Sequence, residues 1–283
     1  MKALSKAFIR KTARINLFWF FYRQCRVLSE YFLLFYRHAQ AARDGSVLGS
    51  PEFIRRSFPD LTVRNGPFKG MQYPSSKASG SALLPKLLGS YESELHPLFA
   101  KILANTYTDI VDIGCAEGYY AIGLGMKFPD AKIHAFDVDR KAQHLCRQMA
   151  ELNGISNRLS VGAFCDETTL LNMKFNGRAL IISDCEGYEK SLFTPKVAQF
   201  LAPHDLLIEV HDLEDPTIST TLKSRFEKTH HIEVIESVDD ARKVRHYNFA
   251  ELAPYNTRER FALLAENRMV IMEWFYLTPK VLA

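Results

Sequence analysis

At 283 residues, 47% hydrophobic and 24% charged, the chain has the size and composition of one globular α/β domain with an extension. Its five scattered cysteines include no C-x-x-C pair, which argues against a disulfide framework or a structural zinc site and favours a reducing, cytoplasmic setting. The net charge of +4 is uneven, because residues 1–43 hold nine Lys or Arg and one acid (+8) and leave −4 for the remainder, too little positive charge for a nucleic-acid surface.

Residues 1–43 read as a basic, aromatic helix. Phe18, Phe21, Cys25, Leu28, Phe32, Phe35 and Ala39 recur three and four apart, a seam down one face. The apolar run Ile15–Tyr22 is too short to cross a bilayer, and Arg23, Arg26 and Glu30 interrupt the residues after it. The expected partners of this helix are its own domain, a second copy in a homodimer, or an anionic membrane surface, which would make the protein peripheral to a membrane. Residues 44–85 form a linker. Within it Leu61–Tyr73 predicts a small β-hairpin turning at Asn65-Gly66. Leu83–Ala104 predicts helix, with Tyr91 and Glu92 leading into the core.

From residue 86 to 283 one domain is expected. Strands are predicted at 109–114, 132–137, 159–164, 178–183, 205–211, 231–236 and 269–277, with helices at 118–127, 140–152, 188–200, 217–228 and 257–267. This alternation predicts a doubly wound, Rossmann-like seven-stranded sheet with helices on both faces. The last strand, following a helix, is expected to enter antiparallel at the sheet edge. His230-His231 would open a solvated edge strand.

The densest signal is Asp109-Ile-Val-Asp-Ile-Gly-Cys-Ala-Glu-Gly118, then Lys132–Asp139. Small residues at Gly114, Ala116 and Gly118 let a backbone approach a nucleoside cofactor, and an acid at the next strand end suits a ribose diol. Asp112 and Glu117 place negative charge where a pyrophosphate would be repelled. Val111–Gly118 and Ala135–Asp139 resemble the first two motifs of class I S-adenosylmethionine-dependent methyltransferases. Ile182-Ser-Asp-Cys-Glu-Gly-Tyr-Glu189 and Leu207-Ile-Glu-Val-His211 resemble strand ends of the FkbM-type branch, although that branch usually has Glu-Pro where this chain has Asp137-Val138.

The resemblance implies S-adenosylmethionine as cofactor, with Asp112, Gly114, Ala116 and Gly118 about its methionine half and Asp137 on its ribose. Ala163, Phe164 and Cys165 would flank the adenine, with Asp166 or Glu167 accepting from its amino group. Asp184 and His211, at neighbouring strand ends with Glu209 and Asp212 close by, form either a catalytic base pair or an oxygen/nitrogen site for a divalent ion. The expected activity is O-methylation of a hydroxyl on a small molecule or glycan. A nicotinamide-dependent oxidoreductase and a non-catalytic scaffold of the same fold are the alternatives.

Overall fold

The computed structural model describes residues 49–76, 78–79 and 81–280. The predicted helix over 1–43 lies outside the described residues. The chain divides into two units, Met1–Phe53 and Ile54–Ala283, and the sheet with its helices belongs to the second. At the division, helix α1 (Pro51–Ser57) follows a turn at Gly49-Ser50.

The lead-in comprises α2 (Leu83–Leu88), a 3-10 turn (Ser93–Leu95) and α3 (His96–Leu103). The core then runs β1 (Asp109–Ile113), α4 (Tyr119–Lys127), β2 (Lys132–Phe136), α5 (Arg140–Leu152), β3 (Leu159–Gly162), α6 (Glu167–Leu171) and β4 (Ala179–Ser183). It continues with α7 (Glu189–Leu192), α8 (Pro195–Phe200), β5 (Asp205–Val210), α9 (Ile218–Phe226), β6 (His230–Glu236), α10 (Asp240–His246), α11 (Thr257–Leu264) and β7 (Glu273–Pro279).

The sheet has seven strands in the order β3-β2-β1-β4-β5-β7-β6. The pairs β1–β2, β2–β3, β1–β4 and β4–β5 are parallel, and β7 is antiparallel to both of its neighbours. β1 and β4 are buried along their whole length, as central parallel strands covered on both faces should be. One face packs β1, β4 and β5 against α8 and α9 through Ile181, Ile208, Val197, Leu222 and Phe226. Strand order reverses between β1 and β4, so the carboxyl ends of these strands open a crevice at the topological switch point.

Several expectations are corrected. The antiparallel last strand sits between β5 and β6 rather than at the edge, and it starts at Glu273 because 269–272 form a loop. The helix predicted over 83–104 breaks at Gly89, whose φ of 79° caps α2 and whose added Cβ would lie 2.1 Å from the Asn65 carbonyl oxygen. The predicted hairpin is a narrow loop closed by one bridge, Thr62 to Gln72. Its Phe68 packs edge-on against Phe99, Tyr119 and Tyr120. Thr194-Pro195 divides the helix predicted at 188–200, since Thr194 caps a new helix and proline favours a first turn. His230 is buried, with Nε2 3.0 Å from the His204 carbonyl oxygen, rather than solvated.

Candidate functional site

The crevice is a cavity of about 680 Å³ walled by the strand ends of β1 to β5, the lead-in and the 266–272 loop. Its floor begins where β1 ends. The amides of Gly114 and Cys115 both donate to the Phe136 carbonyl, and the Asp184 amide donates to that of Ile113. These bonds draw the turns after β1, β2 and β4 together. A Cβ on Gly114 (φ 82°) would lie 1.7 Å from the Asp184 carbonyl oxygen, so glycine is required by the protein's own backbone. Ala116 also has positive φ, at 48°, and its amide donates to Asp137 Oδ2 at 2.8 Å.

Asp137 is half-buried on the cavity wall, and its Oδ1 accepts from the Asp139 amide at 2.8 Å. Each carboxylate oxygen retains a further acceptor position. Val138 and Phe164 stand on the same wall, 72% and 52% exposed. Cys165 lines it from a buried position that pushes its thiol up to about 12, the state of an inert thiol. Asp112 is buried, and its Oδ2 accepts from the Ala121 amide at 2.8 Å. Burial, reinforced by the Asp137 charge, raises its carboxyl to about 7 against that amide bond.

Across the cavity lie the ends of β4 and β5. His211 is held from behind: Glu189, fully buried, places Oε1 2.6 Å from His211 Nδ1. Nε2 of the same ring lies 3.4 Å from Asp184 Oδ1 and 3.6 Å from Glu186 Oε2. Burial disfavours the charged ring, but Glu189, with Glu209 and Glu186 beyond it, outweighs that and raises the His211 pKa. Asp184 is raised well above the ordinary carboxylate range by burial and by the charges of Glu209, Glu92 and Glu186.

The cations on the wall are tied to acids. Lys86 Nζ sits 2.5 Å from Glu117, which also accepts from the Ser79 amide and the Tyr73 hydroxyl. Arg268 ion-pairs with Glu92, Glu209 and Glu266. Glu92, raised to about 8 by burial, also accepts from the Tyr120 hydroxyl. Lys243, buried and not part of the cavity lining, pairs with Glu266 at 2.5 Å.

Of the residues singled out in the sequence, Asp112, Gly114, Ala116, Asp137, Phe164, Cys165, Asp184 and His211 all line this cavity. Gly118 does not. With φ 95° it opens α4, and a Cβ there would meet Cys146 Sγ at 2.9 Å. Asp166 caps α6, Glu167 accepts from Thr194, and Asp212 accepts from the Ser219 amide, so these three acids are engaged away from the cavity wall. Sequence reasoning passed over Glu186, Glu189 and Arg268. Glu186 and Glu189 were visible as the regular acids of Asp184-x-Glu-Gly-x-Glu189. Arg268 had no sequence signal, because two of its three partners, Glu92 and Glu209, come from distant segments.

Residues 96–182 match the family model of the methyltransferase small domain. An uncharacterized protein YbxB of Bacillus subtilis (strain 168) is 42% identical over 48 residues, 17% of this chain. The chain spans about a quarter of that relative's length (24%). Similar solved structures include precorrin-6y C5,15-methyltransferase from Geobacter metallireducens, with 11% identity, 65% of this chain and 89% of that one covered, and a TM-score of 0.45. An O-methyltransferase from Bacillus cereus, in complex with S-adenosylhomocysteine, shows 12% identity over 68% of this chain and 82% of its own, with a TM-score of 0.43. No helix among the described residues is long and apolar enough to cross a membrane.

Proposed function

We propose that this protein is an S-adenosylmethionine-dependent methyltransferase acting on a hydroxyl of a small molecule or saccharide. One observation carries the cofactor assignment. The switch-point cavity is acidic, and its described lysine and arginine, Lys86 and Arg268, are already paired with carboxylates. A dinucleotide pyrophosphate would meet Asp137 and the partly ionised Asp112 there, with no free lysine or arginine among the described lining residues to offset the repulsion. A cofactor with sulfonium and ammonium groups and no phosphate suits the same charges. The match of residues 96–182 to methyltransferase small domains agrees with this reading.

In this assignment the Gly114–Ala116 turn and Asp112 lie beside the methionine half, Asp137 accepts from the ribose hydroxyls, and Val138, Phe164 and Cys165 flank the base. S-adenosylmethionine supplies an electrophilic methyl group. The protein's task is to align the acceptor and relieve it of a proton. Asp184 and His211 face the acceptor side and assist that deprotonation, either as a base pair or as ligands of a divalent ion. The acids at 184, 186 and 189 favour the FkbM-type branch as the nearest pattern. Calorimetry with S-adenosylhomocysteine and with NADH tests the reading. Binding of the first and not the second is expected, and the reverse would establish the oxidoreductase alternative.

A further inference from the structure

The geometry points to a divalent transition-metal site formed by Asp184, Glu186 and His211 on the acceptor side of the cavity. One donor atom from each residue lies within 4.8 Å of the other two. His211 Nε2 approaches Asp184 Oδ1 at 3.4 Å and Glu186 Oε2 at 3.6 Å, too long for good hydrogen bonds. Two ligands bonded at about 2.1 Å to one ion stand roughly 3.0–3.4 Å apart, so these separations suit a shared ion after a small side-chain adjustment. Asp184 Oδ1 is buried and makes no hydrogen bond. A buried oxygen left in that state is costly unless something positive reaches it.

Two further features show that the site is built. The ring is fixed by Glu189, whose Oε1 also accepts from the Gly187 amide at 3.2 Å. A carboxylate on the far nitrogen of a ligating histidine fixes its tautomer and directs the other nitrogen's lone pair at the metal. Glu186 and Gly187 have consecutive left-handed φ values of 51° and 96°, a reversal that brings the Glu186 carboxylate to His211 although its side chain is 85% exposed.

One nitrogen and two oxygen donors, with no thiolate among them, select Mn²⁺ or Zn²⁺ over Mg²⁺ and Ca²⁺, which prefer all-oxygen sites. Three protein ligands leave coordination positions open to the cavity, as catalytic metals require. Binding stands on geometry alone. Its catalytic use rests on the methyl-transfer reading: an acceptor hydroxyl on the ion would lose its proton to water at the Glu186 lip more readily. Asp184 and His211 then act as ligands.

The test is titration of the metal-free full-length protein with Mn²⁺, Zn²⁺ and Mg²⁺, read by calorimetry and, for Mn²⁺, by paramagnetic resonance of free ion. Mn²⁺ or Zn²⁺ should bind at one site at least about tenfold more tightly than Mg²⁺. Glu186→Gln should weaken this about tenfold or more, and Glu189→Gln by about 10–100-fold. Because Glu186 is exposed, its variant should fold even if His211→Ala does not. Absence of Mn²⁺ and Zn²⁺ binding, or binding unchanged by Glu186→Gln, overturns the site. S-adenosylhomocysteine binding on the same samples separates the two proposals: metal without cofactor refutes only methyl transfer, and cofactor without metal refutes only this site.

Discussion

Gly114 and Asp137 show how one residue serves both fold and site. Gly114 follows β1, and its missing side chain leaves room for the Asp184 carbonyl oxygen, 1.7 Å from where a Cβ would stand. Gly114→Ala must therefore push β4 away from β1 as well as adopt a φ of 82°. A loss of about 3 kcal/mol or more is expected in urea unfolding, in the range reserved for overpacking and backbone strain. A stable Gly114→Ala would mean that the turn relaxes without cost. Asp137 is a ligand residue in the proposed function, yet its oxygens also hold the Ala116 and Asp139 amides. Asp137→Ala should weaken S-adenosylhomocysteine at least about tenfold, since one hydrogen bond to a charged acceptor contributes roughly 1.5–3 kcal/mol. An unchanged dissociation constant in a folded variant would remove Asp137 from the ribose site. The sequence motif named both residues and could not display the second duty of either.

At the scale of elements, Arg268 ties together one wall of the cavity. It joins the loop before β7 to Glu92 in the lead-in and to Glu209 at the end of β5. Arg268→Met would leave buried carboxylates without their cation, a change that costs about 3–5 kcal/mol. The pH dependence has a definite sign. Glu92 is already raised to about 8, and without the arginine it would rise further. A carboxyl whose folded pKa lies above its unfolded value contributes stability at low pH that is lost as pH rises through the folded value. The variant's deficit should thus be larger at pH 8.5 than at pH 5.5 in denaturant titrations. A deficit that grows on acidification would show that the three acids do not act on one another as described. The sequence displayed β5 and a final strand-like run but not this joint, because ion pairs across 59 and 176 residues leave no periodic trace.

For the whole molecule, stability should follow Asp112, a buried acid of the central strand β1. Asp112 has an ordinary value of 3.8 and rises to about 7 in the fold. The folded protein therefore holds a proton there that the unfolded chain has lost, and stability falls between about pH 4 and 7. A rise of that size corresponds to an upper bound of about 4 kcal/mol. Asp112→Asn should be more stable than the wild type at pH 8 and show little advantage at pH 4.5. An advantage that is the same at both values would assign the effect to packing. Asp112 also marks the line between what the sequence determined and what it left open. Alternating apolar runs determined the seven strands and the doubly wound class, because a strand buried on both faces must be mainly apolar. The small-residue turn and the acids after β1 and β2 determined where a ligand would lie, because local geometry and strand ends follow directly from local sequence. Tertiary structure alone decided which acids remained on the cavity wall. Gly118 was taken by packing on Cys146 and Asp166 by a helix cap, while the exposed Glu186 was turned toward His211. It also decided that β7 lies inside the sheet and that Lys86 and Arg268 are neutralised before any ligand arrives. Those outcomes depend on side chains meeting across long separations, where burial and charge rather than spacing select the partner.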